Sequence, residues 1–447
     1  MSPILDSAVF GPLFSAEEIS FLLGDEAYVR ALVQVESALA RAQGKLGIIP
    51  AAAAENIAKA AADKIDIGAL AKGTSRSGFP IIALVQELRK QVGADAAPFV
   101  HWGATTQDIM DTACVLQIRA SMQIYRRMIS EIARYLSALA ERHRSTVLAG
   151  RTHGQQALPV SFGLKAAGWL MPLIRHLDRL DELSPRLLVL QFGGAAGTLA
   201  ALGDKGLAVV EALSEDLELA APVMPWHVQR DSFAEFAGWL SLVTGSLGKM
   251  AQDIILLAQT EIGEVAESAE EGRGGSSTMP QKSNPITSEL IVAAARTNAS
   301  LVSAMHQAQI QEHERATHGW QVEWLVLPQM MLLTGGALKH ARDLAENLQV
   351  DAAAMRDNIT RANDVILAEA AVFSLARCMP RAEAEELVKK ACGIAVSQAR
   401  PMLQVARELA AGHAGGVDWA ALQNPANYLG QADKMIDRVL QRAKNRL

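Results

Sequence analysis

An all-α fold is predicted by three features of the sequence. Half of the 447 residues are hydrophobic but only 5% are aromatic, a balance that suits long packed helices better than sheets. No proline occurs between Pro98 and Pro159, between Pro225 and Pro280, or between Pro285 and Pro328, so three long stretches lack the residue that breaks helices. Inside the second stretch Leu240, Val243, Leu247, Met250, Ile254 and Leu257 recur at steps of three and four. That spacing draws one apolar seam along a helix.

In chain order, Ser15 and Glu18 have the S-x-x-E spacing of a capping box. An amphipathic helix follows, with Tyr28, Leu32, Val35, Leu39 and Ala42 on one face; Gly44 and Gly47 end it and Pro50 restarts the chain. Residues Ala51 to Ala62 read as another helix, and nothing in the first hundred residues alternates with period two. The seam helix is placed from about Asp231 to Glu267, a rod of roughly 55 Å. One domain of ordinary size does not bury such a rod, so a bundle completed by other subunits is expected, with a monomeric coiled-coil hairpin as the plainer alternative. From about Asp351 shorter helices, parted by Met379-Pro380, Gly412 to Gly416 and Asn424-Pro425, read as a small C-terminal helical domain.

The net charge of −6 offers no basic footprint for nucleic acid. An anionic ligand must therefore find a local positive pocket. Cys114, Cys378 and Cys392 form no C-x-x-C pair and are odd in number, which predicts buried free thiols in a reducing compartment. The opening MSPILDSAVFG lacks the basic start and apolar core of a signal peptide, and the longest uncharged run, Leu187 to Gly203, is interrupted by glycines. The expectation is a cytoplasmic protein with no membrane and no nucleic-acid partner.

Four stretches do not read as packing. GGSSTMPQKSNP (274–285) sets Ser276, Ser277, Lys282 and Asn284 among glycines and prolines, giving hydroxyl, cation and amide donors on a loop able to close over an anion. HWGATTQD (101–108) carries His101, Thr105 and Thr106; paired threonines bind carboxylates, and equally serve as helix N-caps. RTHGQQ (151–156) offers His153 flanked by Arg151, Thr152 and Gln155. EHERATHGW (312–320) holds Arg315, with His313 and His318 five apart and so not on one helix face. No HExxH, GxxxxGK[ST] or strand-linked GxGxxG is present, so no metal, nucleotide or other cofactor is called. The common chemistry is that of a pocket for a small polycarboxylate.

GSSTMPQKSNP, from Gly275 to Pro285, matches every fixed position of G-S-S-x-M-P-x-K-x-N-P and so resembles the signature loop of the fumarase/aspartase superfamily. HWGATTQD and RTHGQQ resemble its other two active-site segments, in the same order. The resemblance spans the whole chain. It implies an all-α, three-domain subunit, divided here at 1–111, 112–351 and 352–447, and a homotetramer with a central helical bundle and active sites shared by three subunits. It also implies elimination chemistry beta to a carboxylate, through an aci-carboxylate. Ser276 then matches the acid/base serine, while Lys282 and Asn284 match the residues that hold the substrate carboxylate. Thr152 and His153 match the leaving-group side and Thr105 and Thr106 a carboxylate cradle. His101, Arg151, Gln155 and Arg315 are taken as further substrate-facing groups.

Within the superfamily the chain departs from adenylosuccinate lyase. Gln281 and Ser283 replace a histidine and an arginine in the loop, and Trp320, Trp324 and Trp226 stand where that enzyme has polar groups for its nucleotide. QFGGAAGT (191–198), PWHVQRD (225–231) and EHERATHGWQVEW (312–324) instead resemble the branch that lactonises a carboxylated muconate. That is the superfamily's elimination run backwards, with a substrate carboxylate as internal nucleophile, already ionised at neutral pH. Ser276 is expected to protonate carbon, His153 to orient the nucleophile, and Lys282, Arg315 and either Arg151 or Arg230 to balance the charge. An adenylosuccinate lyase-like eliminase, or a helical scaffold without activity, is the alternative.

Overall fold

Long helices occupy the proline-free stretches, and two others run through Pro172, Pro185 and Pro328. The computed structural model describes residues 4–268, 279, 282–315, 317–413 and 415–447. Helices α1 (Asp25–Lys45), α2 (Ile67–Ser77) and α3 (Ile81–Val92) lead to α4 (Thr106–Arg142), which fills most of the first proline-free window. A hairpin of β1 (Val147–Thr152) and β2 (Gln155–Ser161) precedes α5 (Phe162–Leu187). In the second window lies α6 (Asp231–Leu257), followed by the short strand β3 (Val265–Ala266). The third window holds α7 (Ile286–Ala308) and the start of α8 (Gly319–Asn347), which continues through Pro328. Strand β4 (Gln349–Val350) pairs antiparallel with β3. The C-terminal helices include α9 (Ala352–Arg361), α10 (Arg381–Gln398) and α11 (Met402–Leu409).

The fold divides into two compact units. One comprises Met1–Met128, His176–Gly245 and Ala293–Lys339; the other Ile129–Arg175, Ser246–Val292 and His340–Leu447. In the first, the Tyr125 hydroxyl donates to the Met331 carbonyl at 2.8 Å and its ring leans on Trp239 at 6.0 Å. The Asn298 amide donates to Thr334 Oγ1 at 3.0 Å inside the packed interior. In the second, α9 packs on β1, and Leu367, Leu375, Val388, Met402 and Val405 build one apolar cluster among the C-terminal helices.

The seam holds in full: Leu240, Val243, Leu247, Met250, Ile254 and Leu257 are all buried. Helix α6 is also long and apolar enough to cross a membrane by length and composition, but that apolar face is packed inside the protein. The helix ends at Leu257, short of the expected Glu267. Gly263 turns the chain in the left-handed region (φ 59°), the Glu264 N–H returns to the Leu257 carbonyl at 2.9 Å, and β3 pairing takes over. Other expectations change as well. Ser15 forms no capping box, because its hydroxyl donates to the Gly11 carbonyl (3.0 Å) in the preceding helical turn and Ala16 occupies the cap position. The alanine-rich helix stops at Ala58. Cys378 is exposed in the turn before Pro380, while Cys114 and Cys392 are half-buried; all three are free.

Gly44 does not end α1. A Cβ there would lie 2.4 Å from the Ala54 Cβ, so the glycine is a notch that lets the helix Ala51–Ala58 approach, and Gly47 (φ 64°) makes the turn. Gly44→Ala is expected to overfill this contact and cost about 1–3 kcal/mol, read as a lower urea midpoint at unchanged slope. An unchanged midpoint would remove the notch from the account.

Candidate active site

At the start of α4, in the first unit, one carboxylate organises the HWGATTQD segment. Asp108 is fully buried. It accepts the Thr105 N–H (3.0 Å), the Gly193 and Gly194 N–H groups (2.9 Å each) and the His227 Nε2–H (2.7 Å), with the Gln191 amide at 3.4 Å. The Thr105 bond is the return half of a capping arrangement, an acid three residues into a helix reaching back to the cap N–H. The other bonds tie in the loop 191–194 and His227. A buried carboxylate is tolerable only with such compensation.

This leaves the Thr105 hydroxyl free of capping duty. It accepts from Arg315 Nη1 at 2.6 Å, and Arg315 Nη2 donates to the carbonyls of Gly194 (3.3 Å) and Ala195 (2.8 Å). Arg315 Nε is buried without a partner among the described residues. Thr106 is the first residue of α4, where the positive end of the helix dipole favours an anion. His101 lies just upstream in the left-handed region (φ 64°), its Nδ1–H donating to Glu36 Oε1 at 2.6 Å. Burial is the strongest influence on His101 and opposes its charge. The Glu36 carboxylate, as neighbouring anion and hydrogen-bond acceptor, and Asp108 together outweigh it, so the pKa of His101 stands above its ordinary value. Thr105, Arg315 and a readily protonated His101 thus gather at one helix N-terminus.

One turn further along α4, Arg230 is buried between two acids. Its Nη1 and Nη2 donate to Asp111 at 2.6 and 3.1 Å, and its Nε donates to Glu323 Oε1 at 2.9 Å, with Nη2 also on Glu323. The Trp320 indole N–H donates to Asp111 at 3.0 Å, and the Gln107 amide donates to Asp111 (3.1 Å) and to the His227 carbonyl (2.9 Å). Trp226 and Phe233 stack on the guanidinium at 5.0 and 4.7 Å. Every nitrogen of Arg230 is engaged, so this candidate cation is part of the frame.

In the second unit, RTHGQQ is a two-residue hairpin. His153 and Gly154 (φ 51° and 77°) form the loop between paired Thr152 and Gln155, the double left-handed pattern of a type I′ turn. Thr152, His153 and Gln155 are exposed at its tip. Arg151 donates to the fully buried Glu264 at 2.9 and 2.7 Å, and Asn358 donates to the same acid at 2.8 Å. Lys282 is exposed and Asn284 half-buried, just ahead of α7. Glu267 caps that helix, accepting the N–H groups of Thr287 (3.1 Å) and Ser288 (2.8 Å) and the Ser288 hydroxyl (2.7 Å). Among the described residues no hydrogen bond or ion pair joins the hairpin tip to Lys282 or Asn284. Ser276 lies outside the described residues. No group of three or more His, Cys, Asp and Glu suited to a metal occurs among the described residues.

Residues 16–297 match a family model described as Lyase. The chain belongs to the lyase family, within the fumarase/aspartase superfamily. It is 45% identical over 98% of its length, and 97% of the relative's, to 3-carboxy-cis,cis-muconate cycloisomerase of Pseudomonas aeruginosa. The structure of the 3-carboxy-cis,cis-muconate lactonizing enzyme from Pseudomonas putida superposes with a TM-score of 0.93 at 42% identity, covering 98% of this chain and 99% of that one. At 40% identity, over 98% of this chain and 90% of the relative, the chain also resembles trans-aconitate decarboxylase 1 of Mycosarcoma maydis.

Asp108, Glu36, Gln191, His227 and Glu264 were not singled out in the sequence. Glu36 alone leaves a trace there: an acid beside Leu32, Val35 and Leu39 on the apolar face of α1 signals a buried carboxylate with a partner.

The Glu36–His101 pair fixes a pH dependence. Because the pKa of His101 is raised on folding, the pair's contribution is complete below the ordinary value of 6.5 and is lost as pH rises through the raised value. The alkaline limb of kcat/KM for a carboxylate substrate is expected to move to lower pH in Glu36→Gln. Superimposable profiles would detach His101 from substrate binding.

Proposed function

We propose that this chain lactonises 3-carboxy-cis,cis-muconate to 4-carboxymuconolactone. The observation that carries the reading is 45% identity, across nearly the whole of both chains, to an enzyme of that name. The site in the first unit supports it, since Arg315, Thr105, protonated His101 and the N-terminus of α4 offer donors to carboxylates, while Arg230 and Trp320 are buried and committed to Asp111, so neither is free for a nucleotide phosphate.

In this reading one terminal carboxylate of the substrate adds through oxygen to the carbon beta to the other terminal carboxylate. The carbon–carbon π pair moves toward that second carboxylate, giving the aci-carboxylate dianion. Arg315, Lys282 and Asn284 stabilise the developing charge. Ser276 then delivers its proton to the alpha carbon, the second carboxylate is restored, and the serine regains a proton from solvent. His153 orients the attacking carboxylate, and Thr106, Thr152 and Gln155 complete the contacts. Arg151, paired with Glu264, braces the hairpin that presents His153. A homotetramer, divided into domains at 1–111, 112–351 and 352–447 and placed in the cytoplasm, unites groups from three subunits in each site. The lone, exposed His153 on its strained turn favours such sharing, because a second chain gives it something to act on.

Loss of the conjugated-diene absorbance of 3-carboxy-cis,cis-muconate on adding the purified protein tests the reading. Turnover is expected, falling about a hundredfold or more in Ser276→Ala with KM little changed. No turnover of this substrate beside decarboxylation of trans-aconitate would transfer the chain to the other reaction.

A further inference from the structure

A cavity of about 750 Å³ lies within the first unit among α1, α2, α4 and α8. Its walls include Leu70, Met110, Phe233, Trp320, Trp324 and Met331, and no lysine or arginine lines it. A tricarboxylate would therefore enter without a counter-charge and facing acids. Two of those acids, Asp111 and Glu323, already have Arg230 and, for Asp111, the Trp320 indole as partners; the third, Asp25, is exposed. What the interior offers is aromatic surface, the Cys114 thiol and the Tyr28 hydroxyl; Thr74 and Gln117 already donate to the Leu70 and Leu22 carbonyls, and Ser75 is exposed. Burial, with Asp111 adding to it, pushes that thiol up to about 12, so it is neutral and inert. The Tyr28 hydroxyl has no hydrogen-bond partner among the described residues.

The tryptophan wall is fixed from outside the cavity. Phe79 stacks on Trp320 at 5.7 Å and meets Trp324 edge-on at 6.0 Å, and the two indoles pack edge-to-face at 4.7 Å. A wall locked this way does not fold inward to fill the space, which is lined mainly by apolar side chains. Volume, a mainly apolar lining and an unmatched phenol are those of a small-molecule site.

We propose that this cavity binds an uncharged aromatic small molecule carrying a hydrogen-bond acceptor for Tyr28, at a site separate from that of the carboxylate substrate. Nile red, neutral and aromatic with a carbonyl acceptor, is a suitable probe. Titrating it into the full-length protein is expected to give saturable emission at one site per chain, with quenching of tryptophan fluorescence. Thr74→Trp and Ala71→Phe, which fill the cavity from α2, are each expected to weaken binding at least tenfold while lactonisation and helical circular dichroism stay as in the wild type. Tyr28→Phe is expected to weaken it several-fold, and the anionic dye 1-anilinonaphthalene-8-sulfonate to bind at least tenfold more weakly. Absence of saturable emission, or equal emission from the wild type and both filling variants, would overturn the proposal.

Discussion

The buried carboxylate of Asp108 is the constraint on which the candidate site in the first unit rests. Removing a carboxylate from water costs several kcal/mol unless donors replace the lost hydration. Here the donors are two glycine N–H groups, the N–H of Thr105, the His227 imidazole and the Gln191 amide, drawn from three separate parts of the sequence. None of these segments can move without orphaning a charge. Asp111 lies one turn later on the same face of α4 and does the same for Arg230, Trp320 and Gln107. Two acids at a spacing of three thus fix where Thr105, Arg315 and the loop 193–195 stand.

That rigidity bears on catalysis because the groups offered to a ligand are otherwise costly to hold. His101 and His153 both adopt left-handed backbone, which is strained for a residue with a Cβ. Each is secured by a neighbouring acid. Glu36 bonds His101 directly, and Glu264 grips Arg151 two residues before His153. Glu36 and Glu264 lie inside, while His101 is half-buried and His153 exposed, an ordering that suits anionic substrates even though the chain as a whole is negative.

The helical class and the seam of α6 were legible because they follow from period and composition, which repeat over many residues. The signature loop and the three other polar stretches were legible because their residue types are wasteful in packing. Boundaries were harder. Gly44 looks the same as a terminator or as a notch until Ala54 is placed against it, and the end of α6 depends on pairing between β3 and β4, some eighty residues apart. The hairpin escaped notice because its apolar alternation is short and interrupted at Gly150, where the register shifts. The roles of Asp108 and Glu264 were invisible for a related reason: an isolated acid reveals its burial only through partners remote in sequence.

The most direct test is Asp108→Asn, which keeps the shape but exchanges one accepting oxygen for a donor amide facing N–H groups. The helical circular dichroism should persist while the urea midpoint falls by the equivalent of about 2–4 kcal/mol, and kcat/KM for 3-carboxy-cis,cis-muconate should drop a hundredfold or more. Wild-type kcat/KM together with a wild-type midpoint in the Asp108→Asn variant would contradict the account.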